Sequence, residues 1–166
     1  MGGTLWAPWR MEYIDQPAEK ACFLCEYPKL NNDDETFILA RSRHCFVIIN
    51  KYPYTNGHVL VAPFRHEGDP LKLTIEEYQD LTETVRKSVS ALRNAIGPHG
   101  FNVGFNLGRV AGAGLEEHLH FHIVPRWNGD NNMMPVIGAV RVISEGLAAT
   151  YKKLSPHFKQ IIGSTR

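Results

Sequence analysis

The sequence predicts an α+β fold: one antiparallel sheet of about five strands, a long helix and C-terminal helices. Three observations lead to that prediction. Short apolar segments follow one another near the start, a long amphipathic segment comes next, and two more alternating segments flank a glycine-rich turn. The chain shows none of the repeated strand–helix units that an alternating α/β fold requires.

The first strands are predicted at 36–40, 45–50 and 58–62, where β-branched and aromatic residues are frequent. The turn-rich segment 52–57 separates the second strand from the third. Successive short strands with short connections usually pair with each other, so we expect an antiparallel meander.

The long helix is predicted to begin after Thr74 and to end at Gly97. Thr74 and Glu77 have the spacing of a capping box, and apolar residues then recur at helical spacing as far as Ile96. Gly97 followed by Pro98 is a typical stop signal.

The second pair of strands is predicted at 101–107 and 117–125, on either side of the glycine-rich turn at 108–114. These two segments alternate between apolar and polar residues. They are therefore expected to form a hairpin.

The C-terminal part of the chain begins with a polar loop at 126–132. A helix is predicted at 144–154, and Ser155-Pro156 has the pattern of an N-cap followed by proline in the first turn of another helix. We therefore expect more than one helix after the loop.

Length and composition favour a single domain over 1–166. Hydrophobic residues make up 43% of the chain and charged residues 21%, close to ordinary globular usage. Within this domain we expect an N-terminal arm at 1–35, a core at 36–125 that carries the site and a helical extension at 126–166.

The formal net charge of +1 excludes a strong global field, so long nucleic acids and anionic membranes are not expected partners. No apolar run approaches the ~20 residues that span a bilayer, and the N-terminus lacks a signal-peptide core. We expect a cytoplasmic protein.

Three histidines alternate along the last predicted strand: His118, His120 and His122. Successive side chains of a strand point to opposite faces, so these imidazoles are expected to share one face. Such a face suits either a metal ion bound by the imidazoles or a nucleophilic histidine assisted by the two histidines that flank it. Residues two apart on one strand are too widely spaced for all three to bind one ion readily, which favours the nucleophile.

The segment before this strand is rich in glycine and alanine. Glycines let backbone N–H groups approach an anion without interference from a Cβ atom. Glycine-rich turns are common in hairpins, but beside aligned imidazoles this one suits phosphate oxygens. The expected backbone donors are Gly112, Ala113 and Gly114.

The segment His118–Pro125 resembles the signature of the histidine triad superfamily of nucleotidyl hydrolases and transferases. Asn56–Pro63 resembles the glycine–histidine strand of that superfamily, and the resemblance covers nearly the whole chain. It implies the triad fold and a homodimer whose sheet runs across the interface.

The resemblance also implies roles for single residues. His120 would attack the α-phosphorus and become nucleotidylated, while His122 would donate to a phosphate or bridging oxygen. A backbone carbonyl near His118, the third expected catalytic residue, would orient the nucleophile. Asn50 stands where the superfamily has a ribose-binding residue, and Asn106 resembles an asparagine that touches phosphate and ribose.

Cys22 and Cys25 have the spacing of half a zinc site. From the residues alone, a redox pair or two unrelated thiols are alternatives. Many superfamily members complete such a site with histidines at the positions of His66 and His118, which would make a closed structural zinc site here. Mg²⁺ is expected only as a companion of a polyphosphate substrate.

Three further segments, at 5–11, 98–104 and 125–127, are similar to bacterial diadenosine tetraphosphate phosphorylases. They imply a dinucleoside polyphosphate substrate, with a mononucleotide and inorganic phosphate as the other ligands. The hydrolytic branches have a glutamine where this chain has Gly114, and the smaller residue leaves room for phosphate as the acceptor. The alternatives are a hydrolase that releases AMP and a nucleotide-binding regulator with little turnover.

Overall fold

The computed structural model of the protein describes residues 21–130 and 143–161. Within these ranges the chain forms one antiparallel sheet in the order β1-β2-β3-β5-β4. The strands are β1 (Ile38–Arg41), β2 (Cys45–Ile49), β3 (Val59–Pro63), β4 (Gly100–Gly104) and β5 (Phe121–Arg126). The predicted α+β class and the five strands are confirmed. The expected motif at 5–11 lies outside the described residues.

The sheet consists of a meander followed by a hairpin. β1, β2 and β3 pair in sequence, and β5 inserts beside β3 with Leu60 opposite His122. β4 pairs with β5 and occupies the edge of the sheet, where Gly104 lies opposite His122. This register brings the last residues before β3 close to the first residues of β5.

Four α-helices accompany the sheet in the described ranges: α1 (Phe23–Glu26), α2 (Asp33–Thr36), α3 (Ile75–Ile96) and α4 (Leu147–Ile161). The predicted capping box is present, because the Thr74 hydroxyl accepts from the Glu77 N–H and the Glu77 carboxylate accepts from the Thr74 N–H. Gly97 ends α3 in the left-handed region, with φ of 53°. None of these helices has the length and apolarity to cross a membrane.

The two faces of the sheet bury separate hydrophobic clusters. α3 and α4 cover the larger cluster, which includes Leu81, Leu92, Ile123 and Phe158. The segment that contains α1 covers the other face, where Leu24 packs into a cluster with Ile38, Phe46, Ile48, Leu60 and Ala62. Leu24 is fully buried and lies between Cys22 and Cys25 in the sequence.

The prediction of a second helix starting at Ser155-Pro156 is wrong, because α4 continues through Pro156. A proline inside a helix removes one intrahelical hydrogen bond. The residues on either side of it nevertheless share one buried stripe, formed by Thr150, Tyr151, Leu154 and Phe158. Burial of this stripe outweighs the local cost of the proline.

Two predicted strands begin too early. Thr36 ends α2 and Phe37 has a left-handed φ of 59°, so β1 starts at Ile38. The strand predicted at 117–125 starts only at Phe121. His118 and His120 therefore precede the strand, and they do not follow its alternation.

Candidate active site

The side chain of His118 faces away from the other two histidines of the alternating segment. His118 is fully buried, and its Nε2–H donates to the carbonyl oxygen of Pro63 over 2.8 Å. Its Nδ1 lies 3.2 Å from the Sγ atom of Cys22. The expectation that three imidazoles share one face is wrong, because the backbone turns between His118 and β5.

His120 is held by the backbone of His118. Its Nδ1–H donates to the His118 carbonyl over 2.8 Å, so Nε2 is left with its lone pair. Burial lowers the pKa of His120 below the usual value, which keeps the ring neutral near pH 7. A neutral imidazole whose Nε2 has no hydrogen-bond partner among the described residues can act as a nucleophile.

A chain of hydrogen bonds sets the tautomer of His122. The backbone N–H of Tyr54 donates to Nδ1 of His58 over 3.1 Å, so the proton of His58 is on Nε2. That Nε2–H donates to Nδ1 of His122 over 3.0 Å. His122 therefore carries its own proton on Nε2, where it can donate to an anion.

The side chain of Asn50 contacts His58 in this series of hydrogen bonds. Its side-chain nitrogen lies 3.2 Å from Nδ1 of His58, and its oxygen accepts from the N–H of Tyr52 over 3.0 Å. The backbone bond from Tyr52 fixes which end of the amide faces His58. The structure thus brings Asn50 to the imidazole cluster, while its role towards a ribose stays a prediction.

The sequence motifs give His58 no role of its own. It precedes β3, is fully buried and connects Asn50 to His122. A signal was present: a histidine directly before a wholly apolar strand must find hydrogen-bond partners inside the protein.

The rings of the site lie close together. The ring centroids of His120 and His122 are 5.0 Å apart, and those of His58 and His122 are 5.2 Å apart. Burial, reinforced by the neighbouring His120, lowers the pKa of His122 to about 4. His120 and His122 are therefore both neutral over the physiological pH range.

The glycine-rich segment forms a 3₁₀ turn at Arg109–Ala111. Gly108 and Gly112 have φ values of 82° and 91°, a region that favours glycine. The N–H groups of Gly112 and Ala113, two of the three expected anion donors, instead donate to carbonyls of Arg109 and Gly108. These two N–H groups therefore stabilise the turn and are not available to an anion.

Gly114 differs from these two residues. A Cβ atom at Gly114 would meet nothing within 4 Å, so the space beside its backbone is open. Asn106 lies next to the same turn, and its amide donates to the carbonyl of Gly112 over 3.2 Å. The structure thus brings Asn106 to Gly112, while the role of Gly114 towards phosphate stays a prediction.

A second cluster lies on the other side of His118. The ligand atoms of Cys22, Cys25, His66 and His118 all lie within 4.8 Å of one another. Nδ1 of His66 is 3.2 Å from Sγ of Cys25, and Nδ1 of His118 is 3.4 Å from the same sulfur. All three cysteines of the described ranges are free thiols.

The donor set of this cluster fits Zn²⁺. Bonds of roughly 2.3 Å to sulfur and 2.1 Å to nitrogen, at tetrahedral angles, give nitrogen–sulfur separations of about 3.5 Å. The separations in the cluster are close to that value. The Pro63 carbonyl fixes the proton of His118 on Nε2, so Nδ1 presents its lone pair to the cluster.

The family model of the HIT domain matches residues 31–129 of the chain. This match covers more than half of the sequence and includes His58, His118, His120 and His122. The protein belongs to the HIT family. The model does not reach Cys22 and Cys25, which lie before its first matched residue.

This HIT protein is similar in sequence to two relatives whose names give different activities. It is 39% identical over 160 residues to the AP-4-A phosphorylase of Mycobacterium tuberculosis, an alignment that covers 91% of this chain and 82% of the relative. It is 32% identical over 108 residues to an adenosine 5'-monophosphoramidase of Schizosaccharomyces pombe, with coverage of 65% and 76%. Both alignments agree with a nucleotide-related family.

A solved structure shows the same fold. The zinc-bound histidine triad family protein of Mycobacterium smegmatis superposes with a TM-score of 0.69 and 22% identity, covering 87% of this chain and 97% of that one. The triad fold expected from the sequence is thereby confirmed.

Proposed function

We propose that the protein transfers a nucleotidyl group from a dinucleoside polyphosphate to inorganic phosphate through a covalent intermediate on His120. The observation that carries this proposal is the orientation of His120, whose Nδ1–H is engaged by the His118 carbonyl while burial keeps the ring neutral. The similarity to an AP-4-A phosphorylase over 91% of the chain supports this substrate class.

In the first step Nε2 of His120 attacks the α-phosphorus of diadenosine tetraphosphate. A phosphorus–nitrogen bond forms, the bond to the bridging oxygen breaks, and ATP leaves. Negative charge grows on the phosphate oxygens in the transition state, and the Nε2–H of His122 is the donor positioned to stabilise it. His122 needs no reorientation, because His58 already holds its tautomer.

In the second step phosphate attacks the same phosphorus. A new phosphorus–oxygen bond forms, the phosphorus–nitrogen bond breaks, and His120 is restored as ADP leaves. Water in place of phosphate would give AMP. The open space beside Gly114 supports phosphate as the acceptor, since a bound acceptor reacts at a high effective concentration.

Product analysis with and without phosphate tests this proposal. With diadenosine tetraphosphate and millimolar phosphate we expect ATP and ADP, and a rate that rises with phosphate. If phosphate changes neither the rate nor the yield of AMP, the protein is a hydrolase. Unchanged substrate under all conditions would instead indicate a nucleotide-binding regulator.

Gly114→Gln sharpens the same experiment. The substitution fits locally, because a Cβ atom there meets nothing within 4 Å, and it would fill the proposed phosphate space. Phosphorolysis should fall by roughly tenfold or more while hydrolysis changes less. Gly146→Gln is the matched control, because Gly146 has similarly open surroundings and lies just before α4. Equal loss of both reactions in Gly114→Gln would remove Gly114 as the selector of the acceptor.

We propose that Cys22, Cys25, His66 and His118 hold one structural Zn²⁺ per chain. The four N and S donors and their spacing support this assignment. A zinc ion with four protein ligands has no open position, so it would stabilise the fold and take no direct part in the reaction. Mg²⁺ bound with the polyphosphate stays a prediction.

The homodimer also stays a proposal. Among the residues that the structure describes, β4 forms the edge of the sheet, and its last three residues, Asn102, Val103 and Gly104, are exposed. An unpaired edge can accept a strand from a second copy, which would extend the sheet across an interface. Light scattering coupled to gel filtration would measure the mass in solution.

A further inference from the structure

The side chain of Tyr54 has no role in the motif or in the reaction proposed above. Tyr54 lies in the loop between β2 and β3, four residues before His58, and the residue is 43% exposed. An aromatic residue this exposed in a loop would ordinarily be a surface residue. Its contacts show otherwise.

The ring of Tyr54 covers two imidazoles. Its centroid is 4.7 Å from that of His58, with an interplanar angle of 40°. It is 5.8 Å from the centroid of His122, with the rings nearly parallel at 12°. The tyrosine ring thus packs against both members of the His58–His122 pair.

The backbone of Tyr54 acts on the same pair. Its N–H donates to Nδ1 of His58, and this bond starts the relay that leaves the proton of His122 on Nε2. If water reached the pair, it could donate to or accept from any ring nitrogen and would compete with this relay. One residue therefore supplies the bond that sets the tautomer and the apolar surface that protects it.

We propose that Tyr54 is a positioning residue, which holds the His58–His122 pair in one tautomer by covering it and so keeps the Nε2–H of His122 directed at the reacting phosphate. This inference rests on the proposed function for its catalytic meaning. The effect on His122 itself exists in the free protein and can be measured without substrate.

The test is ¹⁵N NMR of the histidine rings in the free protein, for the wild type, Tyr54→Ala and Tyr54→Phe. The titratable side chains that face His122 include His58, His120 and Tyr54. In the wild type His122 should remain the Nε2–H tautomer and should titrate well below pH 6.5. In Tyr54→Ala, water reaches the ring, so its titration midpoint should rise by about one pH unit or more.

Tyr54→Phe keeps the covering ring and should behave as the wild type. Tyr78→Ala is the matched control, because Tyr78 has a similar exposure of 39% and lies on α3. If Tyr54→Ala does not fold, Tyr54→Leu provides the same test, with a smaller rise in the same direction. Unchanged tautomer and midpoint in the variants without the ring would overturn the proposal.

A kinetic measurement separates positioning from substrate contact. With diadenosine tetraphosphate, Tyr54→Ala should lower kcat by roughly tenfold and change KM by less than about twofold. A raised KM with unchanged kcat and unchanged NMR spectra would mean that the ring binds substrate, and it would overturn the proposal. If the wild type does not turn over this substrate, the proposed function fails while the NMR result still decides the role of Tyr54.

Discussion

His118 and His120 are two residues apart, yet they present opposite ring nitrogens to opposite sides of the chain. His118 donates from Nε2 to the Pro63 carbonyl and offers Nδ1 to the cysteines. His120 donates from Nδ1 to the His118 carbonyl and offers Nε2 to the open site. A backbone carbonyl selects the tautomer in each case, and the tautomer decides which chemistry the imidazole can perform.

The rings of His118 and His120 also differ in what surrounds them. His118 lies in the cluster with Cys22, Cys25 and His66, whose N and S atoms are within 4.8 Å of one another; the zinc ion proposed there would leave no position for a substrate. His120 lies beside His122, with the ring centroids 5.0 Å apart, and its Nδ1–H is engaged by the His118 carbonyl. The comparison predicts that substitutions at the first group act on stability and that substitutions at the second act on turnover.

The largest effect is expected for His120→Ala. Turnover should fall by roughly 10⁴-fold or more with the free energy of unfolding nearly unchanged, because the nucleophile acts in the transition state. Single-turnover kinetics and the trapping of an acid-labile nucleotidyl-protein measure the loss. His157→Ala, a substitution on α4, should leave both activity and adduct intact. Normal turnover by His120→Ala would end the covalent mechanism.

The second largest effect is a loss of stability, expected for substitutions in the cluster of Cys22, Cys25, His66 and His118. Cys22→Ser and His66→Ala should each lower the zinc content and reduce the free energy of unfolding by more than about 2 kcal/mol. His66 is the more telling position, because a substitution at an exposed side chain usually changes stability by no more than about 0.5 kcal/mol. Metal analysis and thermal unfolding provide the measurements.

Cys45→Ser is the control for this group. Cys45 is fully buried in the larger hydrophobic cluster, so its substitution should lower stability but leave the zinc content unchanged. Zinc-free wild-type protein, with unchanged stability in Cys22→Ser, would return the two cysteines to a redox or bystander role.

The smallest effect is a displacement of the pH profile. Burial lowers the pKa of His120 below its usual 6.5 and that of His122 to about 4. The neutral rings are the active forms, so activity should persist as the pH falls past 6.5 and should be lost only as it passes the lowered pKa values. The release of ATP in single turnover reports this first step without the titration of the phosphate acceptor. An acid limb centred at 6.5 would mean that burial does not control these rings.

The sequence predicted the architecture well because local signals agreed with it. The capping box at Thr74, the stop at Gly97 and the apolar strands all appear in the fold. Pro156 misled the prediction, since a local rule about proline cannot include the burial of Leu154 and Phe158 on either side. Tertiary packing decided that segment.

The site was predicted in part. The alternation of His118, His120 and His122 identified the right segment, but it assumed a strand where the backbone is still turning. The direction of His118 depends on the Pro63 carbonyl, which is 55 residues away in sequence. The roles of His58 and Tyr54 depend likewise on contacts between separate segments, which no local pattern contains.

The burial of Leu24 between the two cysteines has a practical consequence for handling the protein. If zinc binds as proposed, the metal holds the short segment that packs Leu24 against one face of the sheet. Withdrawing the metal would loosen this cover and expose apolar strands, a surface that promotes aggregation. The zinc supply in the growth medium should therefore set the fraction of the chain recovered in inclusion bodies, and strong chelators should be kept out of purification buffers.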